Sequence, residues 1–280
     1  MEKKKAGTVR DDVRNAYGAV ARGTSQNAVG EAASACCCGS ASAISVLPQI
    51  LGYSEENLEG TPRQADMGLG CGNPGAIASL KPGESVLDLG SGGGFDCFVA
   101  AREVGETGKV VGVDMTPEMV GLARKNAAAV NAKNIEFRLG EIENLPVPDN
   151  SFDVIMSNCV INLSLEKQRV FNEAFRVLKP GGRLAISDIV AVKPLPPEYR
   201  RNTALLCGCV GGTESVDSLR KMLAAAGFDR ITIAAVEESH EFIEQWFPGQ
   251  GVENYVRSAK IQAVKPSSGR TSAISLGVSR

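Results

Sequence analysis

The sequence predicts an α/β fold built on a doubly wound, mostly parallel sheet, and three observations carry that reading. Short apolar strands alternate with helical runs between Ser85 and Asp188, the pattern of a sheet covered by helices on both faces. A glycine-rich turn, Gly90 to Gly94, follows the first of these strands. The second strand ends on an acidic residue, Asp114.

The elements follow in order. Residues 11–22 read as a short helix, with Asp11 and Asp12 favourable in its first turn. Residues 23–40 are rich in Gly, Ser and Ala, read as a loop and contain the run Cys36-Cys37-Cys38. Residues 41–83 are mixed, with turn signals from Gly70 to Pro74. Strands are then expected at Ser85–Leu89, Lys109–Val113, Ile135–Leu139, Phe152–Ser157 and Arg183–Asp188. Helices are expected from the glycine turn through Val104, from Pro117 with Thr116 as N-cap, and over Leu165–Leu178, where Lys179 to Gly182 stop the last. A helix over Val216–Ala226, stopped by Gly227, and strands over Asp229–Val236 and Ser258–Lys265 complete the chain. The expected organisation is an N-terminal extension over 1–80, a core over 81–190, a cap with the remaining sheet over 191–265, and a disordered polar tail over 266–280.

Composition excludes several classes. Net charge is −2 and the isoelectric point is about 5.7, so no basic surface for nucleic acid is expected. Met1 to Lys5 is charged and no apolar run follows it. Neither a secretory leader nor a membrane span is expected, which makes the cytoplasm the default. In a reducing compartment the eight cysteines are not a disulfide framework. With a single histidine, His240, a mixed Cys/His zinc site and a histidine base are both disfavoured.

The glycine turn carries the strongest local chemistry. The third glycine of a dinucleotide fingerprint would fall at Phe95, so that pattern is imperfect. Asp88 lies two places before Gly90 and suits a ligand bearing an ammonium group, and Asp114 can accept from two ribose hydroxyls. S-adenosylmethionine carries both groups. Ligands of a doubly wound sheet bind outside the carboxyl ends of the strands, at the point where strand order reverses. Cys159 lies just past the fourth strand, so it is expected beside the transferable methyl group. Cys97, among Phe95, Phe98, Val99 and Ala100, reads as core packing.

Residues 80–190 resemble the class I S-adenosylmethionine-dependent methyltransferases, which have a Rossmann-like fold. The resemblance lies in Asp149 to Val154, Ser157-Asn158 and Val177 to Gly182, and it places Gly140 to Glu143 around the adenine. Up to about residue 265 the chain resembles the arsenite methyltransferases of that class. The segments that carry this are Met67 to Pro74, Leu87 to Gly92, Gly112 to Thr116, Ser157 to Leu163 and Cys209 to Gly212.

The resemblance implies methylation of trivalent arsenic, free or as a thiol complex, with the N- and C-terminal extensions forming the acceptor site. It implies arsenic ligands Cys71, Cys159 and Cys209, with a fourth functional cysteine from the N-terminal run, Cys37 or Cys38 before Cys36. Cys207 is a neighbour that could replace Cys209. The cofactor residues are Asp88, Gly90, Ser91, Gly92, Asp114, Met115, Thr116, Ile142, Glu143 and Asn158. Thioredoxin or glutathione is the expected reductant, and detoxification the expected role. Two alternatives stay open: a methyltransferase of another small-molecule acceptor, and a thiol-rich metalloid-binding protein without turnover.

Overall fold

The expected strands pair into one seven-stranded sheet in a computed structural model that describes residues 6–23 and 51–267. In chain order the elements are α1 (Ala6–Ala21), α2 (Glu55–Leu58), α3 (Pro74–Ala78), β1 (Ser85–Leu89), α4 (Phe95–Val104), β2 (Lys109–Asp114), α5 (Pro117–Ala129), β3 (Ile135–Leu139) and β4 (Phe152–Asn158). There follow α6 (Lys167–Val177), β5 (Leu178–Ala191), α7 (Pro197–Arg201), α8 (Thr203–Cys207), α9 (Val216–Ala226), β6 (Asp229–Val236), α10 (Ser239–Trp246) and β7 (Val256–Val264).

The sheet order is β3-β2-β1-β4-β5-β7-β6. Strands β1 to β5 run parallel, and β7 is antiparallel to both β5 and β6. Order reverses between β1 and β4, which opens a crevice at their carboxyl ends. Alternate residues of the central strands feed two cores. Val86, Val110 and Val154 pack with Cys97, Phe98, Val120 and Ala123 of α4 and α5. Leu87, Val111 and Ile155 pack with Val170, Phe171, Leu219 and Leu223 of α6 and α9. Burial on both faces explains why these strands read as continuous apolar runs.

Several boundaries differ from expectation. Helix α1 begins at Ala6, not at residue 11, because Val9 and Val13 are buried and Tyr17 continues their stripe at i, i+4 spacing. Helix α6 covers Lys167–Val177 instead of Leu165–Leu178. Strand β5 begins at Leu178, not Arg183, because the Lys179-Pro180-Gly181-Gly182 stretch ends the helix without leaving the sheet. Leu178 pairs with Phe152, Gly181 N–H donates to the Lys265 carbonyl at 2.8 Å, and Lys265 N–H donates to that of Gly182 at 2.9 Å. The last strand is Val256–Val264, two residues earlier than Ser258. The Cys36-Cys37-Cys38 run and the tail from residue 268 lie outside the described residues.

Candidate functional site

The turn after β1 is shaped by left-handed glycines: Gly90, Gly92 and Gly94 have φ of +69°, +51° and +94°. A Cβ on Gly94 would sit 2.7 Å from Cζ of Phe137, so only glycine fits there. Asp114 ties this turn to the start of α5. Its carboxylate accepts from Gly92 N–H at 3.0 Å and Thr116 N–H at 2.8 Å. Burial raises the Asp114 pKa, and these two N–H groups pull it back down.

The crevice is lined by all ten residues expected to hold a cofactor: Asp88, Gly90, Ser91, Gly92, Asp114, Met115, Thr116, Ile142, Glu143 and Asn158. Ser91 Oγ is buried there without a hydrogen-bond partner, a hydroxyl that a polar ligand would satisfy. None of Asp88, Asp96 and Asp114 pairs with a Lys or Arg among the described residues. Burial, with the Asp96 charge second, pushes the Asp88 carboxyl well above the usual range. One buried carboxylate, Asp88, and two half-buried ones, Asp96 and Asp114, beside an unpaired hydroxyl fit a ligand that brings positive charge and ribose oxygens. S-adenosylmethionine meets both conditions.

Three contributors to this crevice were missed by the sequence reading. Asp96 lines it, accepts from Tyr53 Oη at 2.5 Å and from Asn158 Nδ2 at 3.1 Å, and is held at about 6 by burial against those two hydrogen bonds. Tyr53, from a stretch without periodicity, packs edge-on to Phe95 with ring centroids 4.9 Å apart. The third is α1, which brings Arg10, Val13 and Tyr17 to the rim. Arg10 lies 2.7 Å from Glu166, 3.5 Å from Glu143 and 3.7 Å from Glu141. Glu143 also accepts from Ser164 Oγ at 2.5 Å.

The cysteines converge next to the crevice. Cys71, Cys159 and Cys209 share one apolar cluster with Ile189, Leu205, Val210 and Phe247. Cys71 and Cys159, two of the expected arsenic ligands, are joined by a disulfide, with Cα atoms 5.9 Å apart, within the span such a bond needs. Cys209 Sγ donates to the Cys159 carbonyl at 2.7 Å. Cys159 and Cys209 have φ of +54° and +62°, left-handed positions that glycine would fill without strain. Four other described non-glycine residues, Ser79, Asn131, Asn150 and Arg230, share this left-handed region. Asp188 also reaches this cluster: a carboxylate oxygen lies within 4.8 Å of both sulfurs of the pair. Burial raises its pKa to about 6.

The remaining cysteines stand apart. Cys207 packs with Val9 and Val13 of α1, a different cluster from that of Cys209, so it is not placed to replace it. Cys97 is buried in the α4 core, as expected, and donates to Asp88 at 3.2 Å. Burial and the neighbouring Asp88 charge push its thiol well up, away from the thiolate form. The candidates Cys37 and Cys38 lie outside the described residues. His240, the sole histidine, is exposed at the start of α10, against the Glu237 carbonyl.

Residues 80–227 match the family described as a methyltransferase domain. An arsenite methyltransferase of Halobacterium salinarum is 54% identical over 216 residues, covering 77% of this chain and 55% of that protein. An arsenite methyltransferase of Homo sapiens is 41% identical over 152 residues, covering 51% of this chain and 40% of that one. The crystal structure of CrArsM, an arsenic(III) S-adenosylmethionine methyltransferase from Chlamydomonas reinhardtii, matches with 32% identity and a TM-score of 0.57 over 79% of this chain and 73% of that one. The chain spans about half the length of the curated relatives it matches.

Proposed function

Because the chain belongs to the arsenite methyltransferases of the methyltransferase-domain family, we propose that it methylates trivalent arsenic held by Cys71, Cys159 and Cys209. The observation that carries this reading is the meeting of those three cysteines in one cluster, with Cys159 lining the donor crevice as well. Soft thiolates favour a soft centre. Trivalent arsenic held by three of them keeps a lone pair, so the transfer needs no general base from the protein. S-adenosylmethionine, when bound, supplies an electrophilic methyl group on a sulfonium.

The chain's own residues position the two partners. Asp114 is oriented by Gly92 and Thr116 to accept from ribose hydroxyls. Asp88 and Asp96 line the crevice with carboxyl groups that a cationic donor would favour in the ionised form. Once methylated, arsenic is pentavalent. Two thiolates can return it to the trivalent state by breaking two arsenic–sulfur bonds, forming one disulfide and leaving an electron pair on arsenic. The disulfide between Cys71 and Cys159 supports that pair in this role. Thioredoxin or glutathione, in a cytoplasmic setting, would then reopen it. Among the described residues no helix is long and apolar enough to cross a membrane.

The direct test is incubation with arsenite, S-adenosylmethionine and thiol, followed by arsenic speciation. Methylated arsenicals support the reading. Arsenite binding without methylated product would favour a metalloid-binding protein, and neither binding nor product would favour another acceptor.

Two further outcomes are expected. Cys97→Ser should retain methylation, because the serine hydroxyl can still donate to Asp88, at a stability cost of about 1 kcal/mol. Loss of methylation with the fold intact would give Cys97 a chemical role. Donor affinity should depend on pH through Asp96. The ordinary aspartate value of 3.8 is raised to about 6, so below that pH the carboxyl is neutral and cannot complement a cation. Calorimetric titration should show S-adenosylmethionine affinity falling by up to about tenfold per pH unit below about 6. Asp66, Asp88 and Asp114 share the crevice, and burial raises the carboxyl of each. Fold stability responds in the opposite sense. The raised folded pKa makes the Asp96 contribution favourable at low pH, and it is lost as pH rises through about 6. A flat affinity profile from pH 5 to 7.5 would remove Asp96 from donor binding.

A further inference from the structure

The Asn158 side chain faces two ways. Its Oδ1 accepts from Cys71 N–H at 3.0 Å, and its Nδ2 donates to the Gly72 carbonyl at 2.8 Å and to Asp96 at 3.1 Å. The single hydroxyl proton of Tyr53 is likewise contested, between Asp96 at 2.5 Å and the Gly72 carbonyl at 3.2 Å. Asp96 lines the donor crevice, whereas Cys71 and Gly72 carry the arsenic-ligand loop. We propose that Tyr53, Asp96 and Asn158 are positioning residues that couple the two sites, so that binding of the cationic methyl donor and binding of trivalent arsenic reinforce each other. This rests on the function proposed above and deepens it.

The physical path is short and has no slack. A Cβ on Gly70 would lie 2.8 Å from Asn158 Nδ2, and one on Gly72 would lie 2.0 Å from Ser187 Oγ. The loop therefore packs directly on the Asn158 amide and on β5, and movement of one is felt by the other. A cation in the crevice favours the ionised form of Asp96. Ionised Asp96 draws charge-assisted hydrogen bonds from both Tyr53 and Asn158. The amide is then locked with Oδ1 toward Cys71 N–H, which fixes the backbone that carries the Cys71 sulfur. Asn158 is also the chain neighbour of Cys159, so one residue steadies both members of the sulfur pair. By linkage the effect runs both ways: arsenic bridging Cys71 and Cys159 holds the loop, the amide and Asp96 in the donor-binding arrangement.

Among the described residues the groups facing Asp96 are Tyr53, Asn158, Asp66, Asp88 and the neighbouring Cys97, none of them a cation.

The test is calorimetric and needs no turnover. Sinefungin, a cationic donor analogue without a transferable methyl, is titrated into the thiol-reduced protein with and without saturating arsenite. In the unmodified chain arsenite should tighten sinefungin binding by about fivefold to tenfold. Tyr53→Phe removes one hydroxyl and keeps the ring against Phe95. It should still bind each ligand alone, with the coupling factor reduced to about one to two. Asp96→Asn, which keeps the shape and removes the charge, should lose the coupling as well. Equal factors in the unmodified chain and both variants would overturn the inference, as would no coupling in the unmodified chain when both ligands bind. Sinefungin binding with no arsenite binding at all would instead sink the functional reading, and this inference with it.

Discussion

Serine in place of Cys159 should lower arsenite methylation by more than about 100-fold. The substitution swaps one small side chain for another, so the left-handed backbone at φ +54° and the surrounding cluster can persist. What it removes is a soft thiolate, which a hard hydroxyl does not replace as a ligand for trivalent arsenic. Loss of a residue that merely orients a ligand commonly costs 10- to 100-fold in affinity or activity, and loss of the ligand itself should exceed that. Cys159 also forms the disulfide with Cys71, so the variant loses the proposed internal reductant at the same stroke. Donor binding should be largely unchanged, because Asp88, Asp114 and Ser91 are untouched. Speciation of the arsenic products, alongside titration of the donor, separates the two effects. Full activity in Cys159→Ser would remove this residue from the acceptor site. Cys71→Ser should behave alike.

The order and type of the central elements were legible because their limits are local. Strands β1 and β3 and helix α9 fall where expected, bounded by residues such as Gly227, whose φ of +105° no continuing helix could hold. The cofactor turn was legible for the same reason: spacing between Asp88, the glycines and Asp114 is short and chemically specific. The rest of the site depends on contacts far apart in the chain. Asp96 in the sequence is an ordinary acidic residue in the first turn of a helix. Its role comes from Tyr53, 43 residues earlier, and from Asn158, 62 residues later. The Cys71–Cys159 pairing spans 88 residues, and topology could set Cys159 at the crevice without showing that Cys71 would meet it. The unusual backbone at Cys159 and Cys209 left no trace in composition, since only the fold puts a non-glycine residue there. Cys207 shows the converse. It is two residues from Cys209, yet the end of α8 turns it toward α1, where Tyr17 Oη donates to its carbonyl at 3.1 Å.

Alanine in place of Asp114 should weaken S-adenosylmethionine binding on the order of 100-fold, equivalent to about 2.7 kcal/mol. Two losses add. The first is the carboxylate expected to accept from the ribose hydroxyls, and a hydrogen bond involving a charged group contributes about 1.5–3 kcal/mol. The second is internal. Gly92 and Thr116 each lose the acceptor of a backbone N–H, which leaves the glycine turn untied from α5 and less prepared for its ligand. Asp114→Asn should fall between, because its single carbonyl oxygen can accept from one of the two N–H groups but not hold both and the ribose. Arsenite binding to the reduced protein in the absence of donor should not change in either variant, because the Asp114 carboxylate is hydrogen-bonded to Gly92 and Thr116 and not to Cys71, Cys159 or Cys209. That contrast makes the result specific. A donor-binding defect with intact arsenite binding locates the ribose contact at Asp114, whereas unchanged donor affinity in Asp114→Ala would remove the residue from the donor site and leave the glycine turn without its acidic partner.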